Sequence, residues 1–257
     1  MARLSVIVIT FNEEQNICRC LKSVEWADEI VVADSRSTDK TAELVRQLGG
    51  KVVEIDWPGF GPAKQAALDR ATGEWILSID ADEEVSPELA SEIRRVITDS
   101  DNHDGYVMPR KANFLGRWIY HCGWYPDPVL RLFKREKGRF DEAVVHEQVL
   151  VSGPVGRLSG ELLHHSYPDL ETYFRKFNRY TTVGAEELAR KGVQSNVTAI
   201  VFRPAISFIK HYISKRGFLD GMEGLLISVF SAMAVMVKYA KLRQVNRAAD
   251  KAAGKTA

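Results

Sequence analysis

The chain contains too little cysteine to be held together by it. Cys18, Cys20 and Cys122 are an odd set of three in 257 residues and lack the paired spacing of a zinc site or a disulfide framework, which points to a reducing compartment. A signal-peptide core is missing too. The first apolar run, Val6–Ile9, is short and follows a single arginine, so a cytoplasmic chain is expected. Net charge is nearly absent: 35 Lys+Arg stand against 34 Asp+Glu, and nothing in that balance calls for nucleic acid as a partner. No G-x-G-x-x-G or G-x-x-x-x-G-K-[ST] loop occurs at a strand–helix junction, which argues against a nicotinamide dehydrogenase and a P-loop NTPase. His146-Glu147 does not begin an H-E-x-x-H zinc-peptidase motif, because Leu150 occupies the second histidine's place. There is no internal repeat, and low complexity is confined to the Ala/Lys-rich last ten residues.

What is present is the composition of a folded protein, 45% hydrophobic and 27% charged. The first hundred residues alternate strand and helix patterns. Leu4–Thr10, Glu29–Ala33, Lys51–Ile55 and Trp75–Ile79 read as buried strands. Between them, Asn12 is expected to cap a helix with Ile17, Leu21 and Val24 on one face. Ser37-Thr38-Asp39 supplies cap chemistry for a second helix, Gly61-Pro62 opens a third, and Ser86-Pro87 opens a fourth with Leu89, Ile93 and Val96 inward. Such alternation predicts an α/β fold whose mostly parallel sheet is flanked by helices. From about Gly105 to Leu163 short aromatic and β-branched runs predict further strands and loops. Helices resume near Asp169, with Tyr173, Phe177 and Tyr180 on one stripe. The expected division is 1–104 as a nucleotide-binding half, 105–198 as an acceptor-side half of the same domain, and 199–257 as a helical extension.

Ligands of parallel sheets bind outside the carboxyl ends of the strands, and three chemically rich segments begin where predicted strands stop: Thr10–Glu14, Asp34–Asp39 and Asp80–Asp82. Asp80-Ala81-Asp82 offers two carboxylates to a hard divalent cation, Mg²⁺ or Mn²⁺. The same spacing recurs at Asp99-Ser100-Asp101, but in a polar loop rather than after a buried strand. Asp34 stands where a strand-end carboxylate can accept from a base or a ribose hydroxyl. With no phosphate loop, phosphate must be met by metal and cations. Lys64 and Arg131 are the candidates, and each serves equally well as a surface charge. His164 and His165 can add a nitrogen ligand to a metal or touch a diphosphate. Trp118, Trp124 and Tyr125 offer either a stacking surface for a sugar or core.

Val6-Ile7-Val8-Ile9-Thr10-Phe11-Asn12-Glu13-Glu14, the segment Val32–Thr41 and Asp80-Ala81-Asp82-Glu83 together resemble the family-2 glycosyltransferases of the Rossmann-like GT-A fold. Arg131-Leu132-Phe133, Val145-His146-Glu147, Leu163–Tyr167 and Lys215–Gly221 resemble a narrower branch, the lipopolysaccharide inner-core β-glucosyltransferases. The resemblance implies that Thr10, Asn12, Asp34 and Asp80 line a uridine site, that Asp82 holds the metal with His164 beside it, and that transfer inverts the anomeric centre. It also implies that Glu147 is the base that deprotonates the acceptor hydroxyl, with Asp127 and Asp141 in reserve. Arg36 stands where many relatives have glycine, so the turn after Asp34 is the point at which this chain departs from the pattern.

From Ala199 onward ten Lys/Arg face three Asp/Glu. Gly224–Val237, fourteen residues without a charge, is shorter than the roughly twenty residues of a membrane span. Flanked by Lys210, Lys215, Arg216, Lys238, Lys241 and Arg243, it suggests either peripheral contact with an anionic membrane or a buried or dimeric helical hairpin. The resemblance thus implies an inverting hexosyltransferase, with glucose from UDP-glucose as the expected donor and a lipid-linked saccharide of the lipopolysaccharide-core type as acceptor. A polyprenyl-phosphate sugar transferase and a non-catalytic glycan-binding or scaffold protein are the alternatives.

Overall fold

Why the amino-terminal strands assemble as they do is visible in β1, Leu4–Thr10, whose seven residues are all buried, the pattern of a strand covered on both faces. The computed structural model describes residues 2–99, 102–141 and 149–252. Their order continues with α1 (Ile17–Lys22), β2 (Glu29–Asp34), α2 (Thr41–Gln47), β3 (Lys51–Glu54), α3 (Phe60–Leu68), β4 (Trp75–Asp80), β5 (Glu83–Val85) and α4 (Pro87–Thr98). Then come β6 (Gly105–Phe114), β7 (Arg117–Trp118), β8 (Asp127–Lys134), β9 (Gly138–Phe140), β10 (Val149–Val151), β11 (Val155–Arg157) and β12 (Leu162–Tyr167). Three long helices close the chain: α5 (Leu170–Arg190), α6 (Val197–Ile209) and α7 (Gly221–Ala252). The chain divides into two compact units, Met1–Lys111 with Pro126–His165, and Ala112–Tyr125 with Ser166–Ala257.

In the first unit the sheet order is β3-β2-β1-β4-β8-β6-β12-β5, with β11 beside β6. The pairs β3–β2, β2–β1 and β1–β4 are parallel; β8 joins β4 antiparallel, and β6 joins β8 the same way. The expected helix-flanked, mostly parallel sheet is therefore present, and it becomes mixed beyond β4. Period-two alternation serves both faces. Val6 and Val8 pack with Ile17 and Leu21 of α1 and Leu89 and Ile93 of α4, whereas Ile7 and Ile9 pack with Ala63 and Ala67 of α3. The Ser86 hydroxyl accepts from the Leu89 amide and Pro87 fills the first turn of α4, as its sequence predicts. The predicted cap at Asn12 is not made. α1 begins only at Ile17, and Asn12, with φ of 55°, lies in the left-handed region instead.

The amino-terminal edge of the sheet is pinned by Glu29. Its carboxylate accepts from the Ser5 hydroxyl at 2.5 Å, the Lys51 ammonium at 2.6 Å, and the Thr72 amide and hydroxyl at 2.7 and 3.0 Å. The Ser5 hydroxyl in turn accepts from the Gly73 amide at 2.8 Å. Gly73 has no alternative there, since a Cβ would stand 2.6 Å from the Ser5 nitrogen.

In the second unit β7 pairs with the end of β6, and Phe114 anchors an aromatic cluster with Trp124, Tyr167, Tyr173 and Phe230. Trp124 is thus packed, partly buried, against this cluster. Asp169 caps α5 through the Thr172 amide. Its expected aromatic stripe ends early, because Tyr180 is 56% exposed. α7 packs along α5 and α6. Its start is fixed by Asp220, buried and accepting from the Tyr120 and His121 amides and from the His121 ring at 3.0 Å. Gly224 is obligatory beside it, for a Cβ would fall 1.9 Å from the Gly217 carbonyl oxygen. α7 runs 32 residues and is long and apolar enough, by length and composition alone, to cross a membrane. The fourteen-residue count that made it too short stopped at charges that the helix runs through.

Burial alone would raise the Glu29 pKa, but the bonds from Lys51, Ser5 and Thr72 lower it to about 2. A carboxylate whose folded pKa is depressed contributes stability that is full above its unfolded value, about 4.3, and lost as pH falls towards the folded one. Glu29→Gln is expected to lower the unfolding free energy at pH 7 by about 2 kcal/mol, and to flatten the loss of stability between about pH 4.5 and 2. Urea titrations at a series of pH values measure both effects.

Candidate functional site

The parallel register brings three segments to one edge. Thr10 pairs with Asp34 across β1 and β2, and Ile9 pairs with Asp80 across β1 and β4. The loops that leave β1 and β2 are interlocked. The Asn12 side-chain oxygen accepts from the Thr38 amide at 2.8 Å, and its amide donates to the Ser37 hydroxyl at 2.8 Å. The Glu13 amide donates to the Thr41 hydroxyl, and Glu14 exchanges bonds with Asp39 and the Lys40 amide. Asp39 also accepts from the Thr41 amide at 3.0 Å, but it precedes the N-cap of α2, Lys40, which makes no side-chain cap bond, so the cap expected of Asp39 is not made at the N-cap position.

Asp34 is buried, and its carboxylate accepts from the Ser37 amide at 2.9 Å and the Ser37 hydroxyl at 2.6 Å. The turn after it is made with Arg36 at φ of 59°, in the left-handed region that glycine enters more cheaply. Its guanidinium reaches Asp56 at 3.0 Å. Two buried hydroxyls at this edge, Thr10 Oγ1 and Ser35 Oγ, have no hydrogen-bond partner among the described residues. Orphaned polar atoms of this kind ask for a ligand or water.

Asp80 closes β4 between two cations. Lys64 Nζ lies 2.9 Å from one carboxylate oxygen and an Arg131 nitrogen 2.7 Å from the other. The reading of these cations as surface charges fails, because Lys64 is 2% exposed and Arg131 is also buried. Beneath them sits Glu83, at 0% exposure, accepting from Arg131 at 2.9 Å, from Arg110 at 3.1 Å and from the Asp80 amide at 2.9 Å. Arg110 also donates to Asp127, at 2.9 and 2.6 Å. Three cations and three carboxylates thus alternate through the network. Burial by itself would raise the Asp80 pKa, but the Arg131 and Lys64 charges outweigh it and hold the carboxyl well below the usual carboxylate range. Cys20 approaches the Asp80 carbonyl oxygen at 3.6 Å. Its thiol is pushed up by burial and then by the Glu83, Asp82 and Asp80 charges.

The antiparallel pairing of β12 with β5, His164 opposite Glu83, brings His164 Nε2 to 3.2 Å from an Asp82 oxygen. His165 goes to Glu84, at 2.9 Å. No group of three His, Cys, Asp or Glu suited to a metal occurs among the described residues. The two-residue set, one carboxylate and one imidazole, nevertheless fits a hard divalent cation that draws its other ligands from water and phosphate oxygens. The expected residues therefore fall into three groups: Thr10, Asn12 and Asp34; Lys64, Asp80 and Arg131; Asp82 and His164. Glu147 lies outside the described residues. Glu83 and Arg110 were given no role by the sequence. The only sign of them there was a carboxylate directly after Asp80-Ala81-Asp82 and two adjacent cations, Arg110 and Lys111, inside a strand.

Residues 5–148 match the family described as "Glycosyl transferase family 2". Among curated proteins the chain is 30% identical to the "Lipopolysaccharide core biosynthesis glycosyltransferase LpsC" of Rhizobium meliloti, over 94% of this chain and 92% of that one. It is equally 30% identical to an uncharacterized glycosyltransferase of Rickettsia typhi, over 96% of this chain and 88% of the other. Among solved structures it is similar to glucosyl-3-phosphoglycerate synthase from Mycobacterium tuberculosis in complex with Mn²⁺, UDP and glucosyl-3-phosphoglycerate, at 18% identity and a TM-score of 0.49 over 76% of this chain and 82% of that one. It is also similar to TarS 1-349 of S. aureus in complex with UDP, at 17% identity and a TM-score of 0.46 over 96% and 92%.

Glu83→Gln would leave Arg110 and Arg131 facing each other without their shared anion. It is expected to lower the unfolding free energy by about 3 kcal/mol, whereas Asp127→Asn, at a half-exposed position, should cost under about 1 kcal/mol. Chemical denaturation of the two variants side by side measures the contrast.

Proposed function

Because the chain belongs to glycosyl transferase family 2, we propose that it transfers a hexose, glucose from UDP-glucose foremost, with inversion onto a lipid-linked saccharide of the lipopolysaccharide-core type. The acceptor class is supported by the likeness to the lipopolysaccharide-core enzyme, which spans nearly the whole of both chains. The observation that carries the donor reading is the meeting of the clamped Asp80, the Asp82–His164 pair and the orphaned Thr10 and Ser35 hydroxyls at the carboxyl edge of β1, β2 and β4. Hydroxyls and the Asp34 carboxylate suit the hydrogen-bonding groups of a uridine. Positive charge from Lys64 and Arg131 suits a diphosphate.

Asp82 with His164 would hold Mg²⁺ or Mn²⁺, whose charge neutralises the diphosphate as it leaves. In the transfer the acceptor oxygen attacks the anomeric carbon, the bond from that carbon to the diphosphate oxygen breaks, and UDP departs with the electron pair. Glu147 takes the proton of the acceptor hydroxyl. Asp127, a reserve candidate for that task, is engaged by Arg110. The enzyme works in the cytoplasm, at the membrane face where its lipid-linked acceptor lies.

Asp82→Ala is expected to abolish metal-dependent binding of UDP-glucose in calorimetric titration. Glu147→Gln should leave that binding intact and reduce transfer by about 10²–10⁴-fold. Equal loss of binding in both variants would overturn the assignment of roles, and a phosphodiester product in place of a glycoside would overturn the acceptor class.

A further inference from the structure

The helical unit leaves a broad apolar surface uncovered. α6 holds a single charged residue, Arg203, which is committed to the hydroxyl and ring of Tyr239, and Ala199 is its only buried side chain. Phe202, Ile206, Ile209 and Ile213 follow one another at helical spacing and are between 55% and 64% exposed. Beyond them Phe218, Leu219 and Met222 are exposed as well. On the α7 side of α6 an open groove has an entirely apolar lining that includes Phe208, Met233 and Met236. A soluble monomer rarely exposes so continuous an apolar surface without a partner for it.

The charges along this surface are of one sign. Lys210, Lys215 and Arg216 are exposed among the apolar side chains of Ile209–Met222. The sole acid of that stretch, Asp220, is buried against His121 and the Tyr120 and His121 amides, and the next, Glu223, faces Arg117. A second copy of the chain fits poorly, since self-complementary pairing would set the two basic edges side by side. Anionic lipid headgroups fit both features: apolar side chains enter the acyl boundary while cations meet the phosphates. The thirteen residues of α6 span only about 20 Å, too short to cross a bilayer but suited to lying in its interface.

We propose that α6 and the Ile209–Met222 segment form a peripheral docking face for an anionic bilayer. The proposal deepens the reading of a lipid-linked acceptor and rests on it, but vesicle binding is read without donor, acceptor or turnover, so either can fail alone. The test is co-sedimentation of the full chain with phosphatidylcholine vesicles, with and without phosphatidylglycerol. Binding is expected to require phosphatidylglycerol and to weaken as salt rises. Lys215→Glu with Arg216→Glu should weaken it by at least about fivefold per charge. Ile206→Ser with Ile209→Ser and Ile213→Ser, all at exposed positions, should reduce it at least about tenfold with an unchanged thermal melt.

Equal binding to both kinds of vesicle, or no loss in either variant, would overturn the proposal. So would a concentration-dependent dimer that fails to bind vesicles, or retention in cell membranes through an alkaline carbonate wash, which would mean that α7 spans.

Discussion

Parallel pairing obliges β1, β2 and β4 to end at the same edge, and the arrangement of the first unit follows from that obligation. Each crossover needs a helix, so α1 to α3 cover the parallel part of the sheet and β1, β2 and β4 are buried on both faces. Thr10, Asp34 and Asp80 come level because their strands are in register, without any of the three having to attract the others. The antiparallel strands that follow have another task. β8 delivers Arg131 to Asp80, and β12 delivers His164 to Asp82.

The two edges of the sheet are held by different physics. At the amino edge, one buried carboxylate with four hydrogen-bond donors pins β1, β2 and the entry to β4. At the carboxyl edge, charges of both signs are packed where water is scarce, an arrangement that costs desolvation and is sustained only by near-complete pairing. Glu83 lets Arg110 and Arg131 stand close together, as Asp80 does for Arg131 and Lys64.

Much of this was legible in the residues. β1 declared itself by six apolar or β-branched positions out of seven, and α4 by Ser86-Pro87 and the spacing of Leu89, Ile93 and Val96. Both signals are local, and local signals survive in a sequence read on its own. Asn12 was misread as a cap because the partner it takes, the Thr38 amide, is 26 residues away. The burial of Lys64 depends on Asp80, and that of Glu83 on Arg110 and Arg131, all contacts made only after the sheet assembles. Tyr180 followed the aromatic spacing of α5 but lies beyond the point where Phe230 and Phe114 provide cover.

The interlocked loops after β1 and β2 carry a consequence for timing. The bonds of Asn12, Glu13 and Glu14 to Ser37, Thr38, Asp39, Lys40 and Thr41 form as part of the tertiary fold. Ordering entropy for this rim is therefore lost when the protein folds, and little remains to be lost when a molecule arrives. Arrival there resembles docking onto a finished surface, with a rate governed by encounter and orientation rather than by the slow search of a loop for its closed shape.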